Sequence, residues 1–465
     1  MAFSTYLDRM RGECSGLVAE LGEYFRYVSI LGTDVRATVY RADRKSSLIR
    51  DGSGECGFVL KMHDGRAFYE YSTDDISGDK KELAKKIADA VRTDEDLAER
   101  AISCPVPADE PMKKDFGRDN DFARFTDGEL LGLCRGVSEK LVKADDKVLN
   151  AVAILQPLTV SKLFISKNRE LSQYYGWVNG ISMVVYNDVR TIQAMRFECS
   201  DKIAEVKSLM EENTDKLLDL ATHLVKAEPI EPGVYDVITD SSITGLIAHE
   251  AFGHGVEMDQ FVKDRALAKN FMGKPVASPI TNMRDGAASA HSIASYFFDD
   301  DGVLAHDTQI IRDGTLVAGL SDLVSASQLG TEPTGNGRRE SFKRKAYSRM
   351  TNTFFEGGTD TLEDMIASVK HGYMLFDTNN GMEDPKNWQI QCTAEYGIEI
   401  VDGKLTDHYV SPVVMSGSVP DLLKSISMVS GDVKVIGAGQ CGKGYKEWVR
   451  VSDGGPNLKV RVKLG

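Results

Sequence analysis

The 465-residue sequence lacks any long uninterrupted apolar run, and it lacks an excess of positive charge. A membrane-spanning helix needs about 20 mostly apolar residues, and the N-terminal segment MAFSTYLDRMRGECSG has no apolar core of the signal-peptide kind. Binding to nucleic-acid phosphates needs a positive surface, whereas the formal net charge here is −14. We therefore expect a soluble, cytoplasmic protein whose partners include neither a membrane nor a nucleic acid.

Paired cysteines are also lacking. The seven cysteines are odd in number and widely scattered, and none of them forms a C-x-x-C pair. A disulfide framework is not arranged in this way. We expect most of them to be reduced, buried, small apolar side chains.

The N-terminal part of the chain alternates helical and strand patterns. Apolar residues at helical spacing predict helices over 4–25 and near 129–143, and a further long helix that Ser200 caps. Between the first two helices, residues 102–128 contain three prolines and many charges, so we interpret them as a long loop.

The character of the sequence changes after residue 228. Short alternating segments separated by Asp-Gly pairs are typical of antiparallel hairpins. Because the chain is too long for one ordinary core, we predict an α+β protein of at least two domains. An N-terminal α+β domain over 1–228, for substrate enclosure or dimerisation, is followed by a β-rich, barrel-like C-terminal domain over 229–465.

The segment LIAHEAFGHGVEMDQ, at residues 246–260, indicates a metal site with an unusual spacing. The H-E-x-x-H signature places two zinc ligands four residues apart on one helical face. Here His249 and His254 are five residues apart, and Glu250 follows the first of them. In a regular α-helix five residues advance about 500°, so the two imidazoles would point about 140° apart.

Two local distortions would bring these histidines together. A single π-turn widens the helix and places residues i and i+5 on one side. Alternatively, the helix ends at Gly253, whose missing Cβ permits a left-handed or kinked backbone. The spacing therefore predicts an irregular helix and leaves both distortions open.

A hydrolytic zinc site needs a third protein ligand and one open position for water. The candidates are Glu257, Asp259, His291, His306 and Cys441. Just beyond a helix end, the two carboxylates fit a capping or solvated role better. Cys441 lies in the glycine-rich segment IGAGQCGKGYKEW, which can approach closely, and Lys443 near the sulfur would favour the thiolate. A buried thiol in a turn is the alternative interpretation.

Several separated motifs carry a family resemblance. HEAFGHGVEMD, TEPTGNGRRES, YSRMTNT and GQCGKGYKEW with VSDGGPNLKV resemble, in order and spacing, the TldD branch of the TldD/PmbA family of metalloproteases. The resemblance spans about 230–465. It implies a zinc peptidase in which His249, His254 and Cys441 hold Zn²⁺ and Glu250 takes the catalytic position. The chain departs from the family after the cysteine, where GKGYKEW replaces the common glycine and glutamine.

The resemblance also implies a partner. TldD-like subunits pair with a related subunit that lacks the metal motif, TldE or PmbA, and the pair encloses a cavity that admits unfolded or flexible peptides. Since this chain keeps all four metal-site residues, it resembles the active partner. We expect a dimer with a TldE/PmbA-like subunit or with a second copy of this chain.

The leading hypothesis is zinc-dependent hydrolysis of unfolded peptides with Glu250 as general base and acid. Two-histidine, one-cysteine sites also accept iron or cobalt. A non-catalytic peptide-binding or regulatory subunit of the same family and a deformylase-like hydrolase of small amides are the alternative functions. Structural ion pairs, rather than substrate contacts, are the expected role of Arg338, Arg339, Arg349 and Asn352.

Overall fold

Two β-rich halves make up the chain, of which the computed structural model describes residues 3–93, 99, 101–445 and 447–465. The described helices of the N-terminal half are α1 (Thr5–Leu21), α2 (Lys80–Thr93), the 3₁₀ turn Phe122–Arg124, α3 (Asp127–Ala144) and α4 (Ile203–Leu224). Its strands are β1 (Tyr27–Asp43), β2 (Ser47–Asp51), β3 (Glu55–His63), β4 (Phe68–Thr73), β5 (Met112–Gly117), β6 (Val148–Ser166), β7 (Arg169–Asn187) and β8 (Thr191–Ser200).

These strands form one sheet that the helices cover. The order β4-β3-β1-β6-β7-β5 is extended by β2 on β1 and by β8 on β7. Helix α1 begins after Ser4, whose hydroxyl accepts the backbone N–H of Leu7 at 3.2 Å, as an N-cap does. Its buried face packs with α2 against the sheet, and α3 and α4 pack against another part of the same sheet.

Two local predictions for this half are wrong. The predicted loop over 102–128 contains strand β5, which pairs in parallel with β7. Half of its six residues are charged and most are exposed, so they lack the apolar alternation that signals a strand. Helix α4 is not capped by Ser200. Asp121, 82 residues earlier, accepts the N–H groups of Ile203 and Ala204 at 2.7 and 3.0 Å.

The C-terminal half has shorter elements. Its helices are α5 (Ser241–Leu246), a π-helix (Ile247–Gly253), a 3₁₀ turn (His254–Val256), α6 (Met258–Val262), a second 3₁₀ turn (Leu267–Phe271), α7 (Leu323–Leu329), α8 (Leu362–Ala367) and α9 (Val419–Lys424). Its strands are β9 (Gly233–Thr239), β10 (Met283–Asp285), β11 (Thr308–Arg312), β12 (Thr315–Leu316), β13 (Gly337–Arg338), β14 (Tyr347–Ser348), β15 (Asn352–Phe355), β16 (His371–Asp384), β17 (Gln389–Val401), β18 (Lys404–Val410), β19 (Val413–Ser418), β20 (Met428–Val429), β21 (Lys434–Lys443), β22 (Glu447–Gly455) and β23 (Leu458–Leu464).

Five of these strands close into a barrel. The pairings run β16-β9-β23-β19-β17, and β17 pairs again with β16. A separate six-stranded sheet has the order β12-β11-β10-β15-β22-β21, so β21 lies at its edge. The predictions of an α+β fold and of a barrel-like C-terminal part are confirmed. The domain division between residues 228 and 229 stays a prediction.

Charged and aromatic contacts join the two halves. Lys61 of β3 forms a buried ion pair with Asp301, and Arg339 binds Glu70 of β4 at 3.1 Å. His223 of α4 stacks on Tyr409 of β18, with ring centroids 4.5 Å apart. In the described part of the chain, no helix is both long and apolar enough to cross a membrane.

Candidate metal centre

A π-helix resolves the unusual histidine spacing. Asp240 accepts the N–H of Ile243 at 2.8 Å and thereby caps α5, which continues directly into the π-helix. The backbone N–H of His254 donates to the carbonyl oxygen of His249, five residues earlier. The two imidazole rings consequently lie on one side, with centroids 5.0 Å apart and planes at 87°. The first of the two predicted distortions is therefore the one adopted.

Gly253 serves this helix by its small size and not by a left-handed backbone. The π-helix ends at this residue, but its φ of −59° is ordinary for a helix, so the left-handed backbone of the predicted alternative is not adopted. A Cβ at this position would stand 2.0 Å from the Sδ atom of Met350. The missing side chain lets the widened turn pack against the fully buried Met350.

Cys441 comes to the histidines from the edge strand β21. Its sulfur lies 3.4 Å from Nε2 of His254, although 187 residues separate the two in sequence. Its carbonyl oxygen accepts a 2.6 Å hydrogen bond from Nη2 of the buried Arg349, which fixes the strand locally. One potential ligand atom from each of His249, His254 and Cys441 lies within 4.8 Å of the others.

This spacing fits one tetrahedral ion. Given Zn–N and Zn–S distances of about 2.0 and 2.3 Å, two ligand atoms on one zinc stand roughly 3.5 Å apart. The 3.4 Å separation between the cysteine sulfur and the nearer imidazole nitrogen is close to that value. The donor set of two nitrogens and one sulfur suits zinc and leaves a fourth position for a water or a substrate.

A carboxylate orients His254. Its Nδ1 atom lies 3.1 Å from Oε2 of Glu257, which leaves Nε2 directed toward the sulfur. Such an outer contact fixes both the tautomer and the ring orientation of a metal-binding histidine. Glu257 in turn accepts a 3.0 Å bond from Nζ of Lys443. The capping or solvated role expected for Glu257 and Asp259 is wrong, because both are buried around Lys443.

A second carboxylate stands beside His249. Oδ2 of Asp453, on β22, lies 3.8 Å from Nδ1 of His249, which has no hydrogen-bond partner among the described residues. Burial raises the pKa of Asp453 to about 6, against the partial opposition of the nearby His249. The aspartate belongs to the motif VSDGGPNLKV, but no local pattern in the sequence assigns it a role.

The two histidines create an environment that favours a thiolate. Burial alone would raise the pKa of the Cys441 thiol, but the charges of His254 and His249 outweigh burial and lower the pKa well below the usual range. Burial would lower the pKa of His249, yet Cys441 outweighs it and raises the pKa to about 9. Lys443, which was predicted to favour the thiolate, donates its ammonium hydrogens to the two carboxylates and to the carbonyl oxygen of Ser348.

The cluster opens into a cleft of about 870 Å³. Glu250 is half-buried in its wall, where its Cγ atom lies 2.5 Å from the place that a Cβ of Gly381 would occupy. Three partly exposed apolar side chains line the same cleft: Phe197, Met382 and Trp448. Both polar chemistry and apolar contact area are therefore available to a bound molecule.

The remaining candidates lie outside the cluster. His291 pairs with Asp201 at 3.0 Å, and His306 is exposed. Of the residues expected to form structural ion pairs, Arg339 pairs with Glu70 and Arg349 lies 3.7 Å from Glu257. Arg338 and Asn352 donate hydrogen bonds to backbone carbonyl oxygens instead. None of these four is among the residues that line the cleft.

The C-terminal half of the chain matches a known family model. A model described as the PmbA/TldA metallopeptidase C-terminal domain matches residues 232–463, the part that contains the barrel and the cluster. The chain belongs to the TldD/PmbA family, as the motifs indicate.

Individual relatives agree with this assignment. A metalloprotease of Methanothermobacter thermautotrophicus is 32% identical over 52% of this chain and 52% of its own length. A zinc metalloprotease TldD homolog of Saccharolobus solfataricus is 30% identical over 52% of this chain and 54% of its own. The chain thus spans about half the length of the curated relatives it matches.

A solved structure shows the same fold over nearly the whole chain. TldE from Thermococcus kodakarensis superposes with a TM-score of 0.73 at 17% identity, and the match covers 97% of this chain and 100% of that one. At this identity the likeness concerns the fold alone.

Proposed function

We propose that this protein is a zinc-dependent metallopeptidase that hydrolyses unfolded or flexible peptides. The observation that carries the proposal is the convergence of His249, His254 and Cys441 beside Glu250 in one cleft. The names of the relatives, one of them a zinc metalloprotease, support the metal and the reaction class.

His249, His254 and Cys441 would hold the ion. A zinc ion bound there supplies a Lewis acid, which polarises a peptide carbonyl and favours ionisation of water near neutral pH. Glu257 keeps the His254 imidazole oriented, and Arg349 keeps the cysteine-bearing strand in place. Asp453 stands 3.8 Å from Nδ1 of His249, where it would accept the N–H of a metal-bound ring.

Glu250 carries a proton from the attacking water to the leaving amine. Its carboxylate accepts a proton from the attacking water while the water oxygen forms a bond to the carbonyl carbon. The carbon–nitrogen bond then breaks, and Glu250 returns the proton to the departing amine nitrogen. The products are a carboxylate and an amine, so one water is consumed for each bond cleaved.

Two strand edges in the cleft suit an extended peptide. Beyond Leu375, β16 pairs with β17 but no longer with β9, and β21 pairs only with β22 among the described strands. Residues of both strands line the cleft. An extended chain can hydrogen-bond to such edges through its backbone, which requires that the substrate be locally unfolded.

The exposed rim of the cleft supports a partner. Tyr445, at the tip of the β21–β22 hairpin, is 91% exposed, and Trp448 and Met382 are also exposed. Grouped apolar surface of this kind is typical of a protein–protein or substrate contact. We include in the proposal a cytoplasmic dimer with a TldE/PmbA-like subunit or with a second copy; the shared fold with TldE supports the first arrangement.

The test combines metal analysis with peptide digestion. The purified chain should contain about one zinc and cleave an unstructured casein fragment. Glu250→Gln should retain the zinc and lose about 10²-fold or more of kcat, because the general base is removed. Cys441→Ala should lose zinc and activity together. Glu211→Gln, an exposed substitution on α4, serves as the matched control and should change neither.

Each other outcome contradicts the proposal. Undiminished cleavage by the Glu250 variant removes its assigned role, and full zinc retention by Cys441→Ala removes the sulfur ligand. If the protein contains zinc but turns over only small formylated amides, the result supports the deformylase-like function. A chain that binds peptides but takes up no zinc is a binding or regulatory subunit.

A further inference from the structure

Strand β16 presents a second glutamate to the cleft. Side chains alternate along a strand, so Gly381 and Glu383 lie on one face of β16 and Met382 lies on the opposite face. Gly381 faces Glu250, whereas Met382 is 65% exposed. Glu383 therefore lies on the same side of the strand as the proposed catalytic carboxylate, and it lines the same cleft.

The carboxylate of Glu383 reaches the turn that follows the second histidine. Its Oε1 atom lies 3.0 Å from the place that a Cβ of Gly255 would occupy. The indole Nε1 atom of Trp388 is 3.7 Å from the same place. A carboxylate acceptor and an N–H donor thus adjoin one small niche beside His254, which we call the Glu383 niche.

These polar atoms lack a hydrogen-bond partner in the part of the chain that the structure describes. Both carboxylate oxygens of Glu383 and the Trp388 nitrogen are buried without a hydrogen bond to any described residue. Leaving such a group unpaired is unfavourable by about 1–3 kcal/mol, and more for a charged one. Native proteins keep unpaired buried groups mainly where a ligand, an ion or a water completes them.

The neighbouring lysine and arginine side chains do not form ion pairs with Glu383. Lys443 binds Glu257, Asp259 and a backbone carbonyl, and the guanidinium of Arg349 binds the carbonyl oxygens of Cys441 and Glu447. No ion pair to Glu383 is found within the described ranges. The charges of His254 and His249 also act on Glu383, but their rings belong to the metal cluster. Among the described residues no further cation is available, so a positive group that pairs with this carboxylate would come from a bound ligand.

We propose that Glu383 is a specificity residue that binds an ammonium group of the peptide in the cleft. The proposal rests on the proposed function in taking a peptide as the occupant. An ammonium group offers three donors and a positive charge to an unpaired carboxylate. The Trp388 N–H can meanwhile donate to a carbonyl oxygen of the same peptide. A substrate carboxylate is disfavoured there, because Glu250 and Asp453 line the same cleft.

The ammonium can be the free α-amino group or a lysine side chain, and a set of four peptides distinguishes them. One carries a free N-terminus and a lysine near it. The others have the N-terminus acetylated, the lysine replaced by norleucine, or both changes. Their binding is measured by fluorescence anisotropy to the zinc-loaded Glu250→Gln protein, so that cleavage does not interfere.

Removing the correct ammonium group should weaken binding about tenfold or more, as the loss of a charge-assisted hydrogen bond does. Adding Glu383→Gln should abolish this discrimination. The cationic peptides should then bind as weakly as the neutral one. Glu383→Asp, which keeps the charge, should retain part of the discrimination. Glu211→Gln in the same background should retain all of it.

Equal binding of the four peptides, or binding of none, contradicts the role of Glu383. So does discrimination that persists unchanged in Glu383→Gln with normal zinc content and thermal unfolding. Since binding is measured on a protein that does not cleave, failure of the hydrolysis assay leaves this result unaffected. The two proposals therefore fail separately.

Discussion

At the scale of single residues, the two histidines are held differently. His254 has a 3.1 Å contact to Glu257, and Lys443 fixes that carboxylate in turn. His249 has only the longer, 3.8 Å approach to Asp453, and its Nδ1 atom is otherwise unpaired among the described residues. Binding of an ion through the other nitrogen would tighten the approach to Asp453, since a metal-bound imidazole is a better N–H donor.

Asp453→Asn tests this approach. The amide keeps the shape of the side chain but removes the charge that would stabilise the Nδ1–H of His249. We expect zinc affinity to fall about 10–100-fold, as is typical of outer-shell carboxylates. Competition with a chromophoric chelator measures it. Asp432→Asn, at an exposed position, is the control and should not alter affinity. Unchanged affinity in Asp453→Asn would show that Asp453 does not orient the ring.

At the scale of secondary-structure elements, the π-helix depends on close packing. The widened turn brings both histidines to one side, and the Cα of Gly253 lies directly against Met350. Because interiors are close-packed, even one additional methyl group here must displace either the turn or the methionine. Displacement of the turn would move His254, which follows Gly253 directly.

Gly253→Ala should therefore lower both stability and zinc affinity. Overpacking of this kind is unfavourable by about 1–3 kcal/mol. Urea unfolding and zinc titration measure the two effects. Gly12→Ala, on α1, has no atom within 4 Å of the added Cβ and should stabilise the chain by about 0.4–1 kcal/mol. Normal zinc binding by Gly253→Ala would show that the Met350 side chain moves aside and that the turn keeps its position.

The sequence contained the information for these local features and less for the distant ones. The five-residue spacing demanded a distortion, because a regular helix separates the imidazoles. It could not select a π-turn over a helix end, since the choice depends on the packing of Gly253 against a residue 97 positions later. Strand β1, in contrast, is rich in β-branched and aromatic residues, so its own composition favours a strand.

The roles of other residues were invisible for a similar reason. Asp453 and Glu383 acquire their roles from strands that pack beside the π-helix. Glu257 is only three residues from His254, but its buried carboxylate is held by Lys443 of the distant β21. The Asp121 cap of α4 likewise arises from tertiary contact. The family motifs pointed to Cys441 as a ligand, but no local pattern announces a carboxylate that acts through another residue.

At the scale of the whole molecule, buried charges connect the two halves. Glu70 of β4 binds Lys61 within the N-terminal sheet and Arg339 from the C-terminal half, both at 3.1 Å. Burial would raise the pKa of Glu70, but the charges of Arg339 and Lys61 outweigh burial and lower it to about 2. The folded state consequently binds the proton of Glu70 less tightly than the unfolded state does.

The sign of the pH effect follows from this lowered pKa. The ordinary pKa of Glu70 is 4.5 and its folded value is about 2. Its ionic contribution to the free energy of unfolding is therefore complete above pH 4.5 and is lost as the pH falls toward 2. By pH 4 about 1 kcal/mol of the contribution should already have disappeared.

Glu70→Gln should destabilise the junction by about 3–5 kcal/mol at pH 7, because Arg339 and Lys61 then lose a buried partner. Chemical unfolding at pH 7, 5.5 and 4 measures the difference from the parent protein, and that difference should shrink at the lowest pH. Glu139→Gln breaks an exposed pair with Lys143 and should change the free energy by less than about 1 kcal/mol at every pH. If the loss of unfolding free energy in Glu70→Gln is the same at every pH, the side chain acts by packing. The charge of Glu70 would then contribute nothing to the contact between the halves.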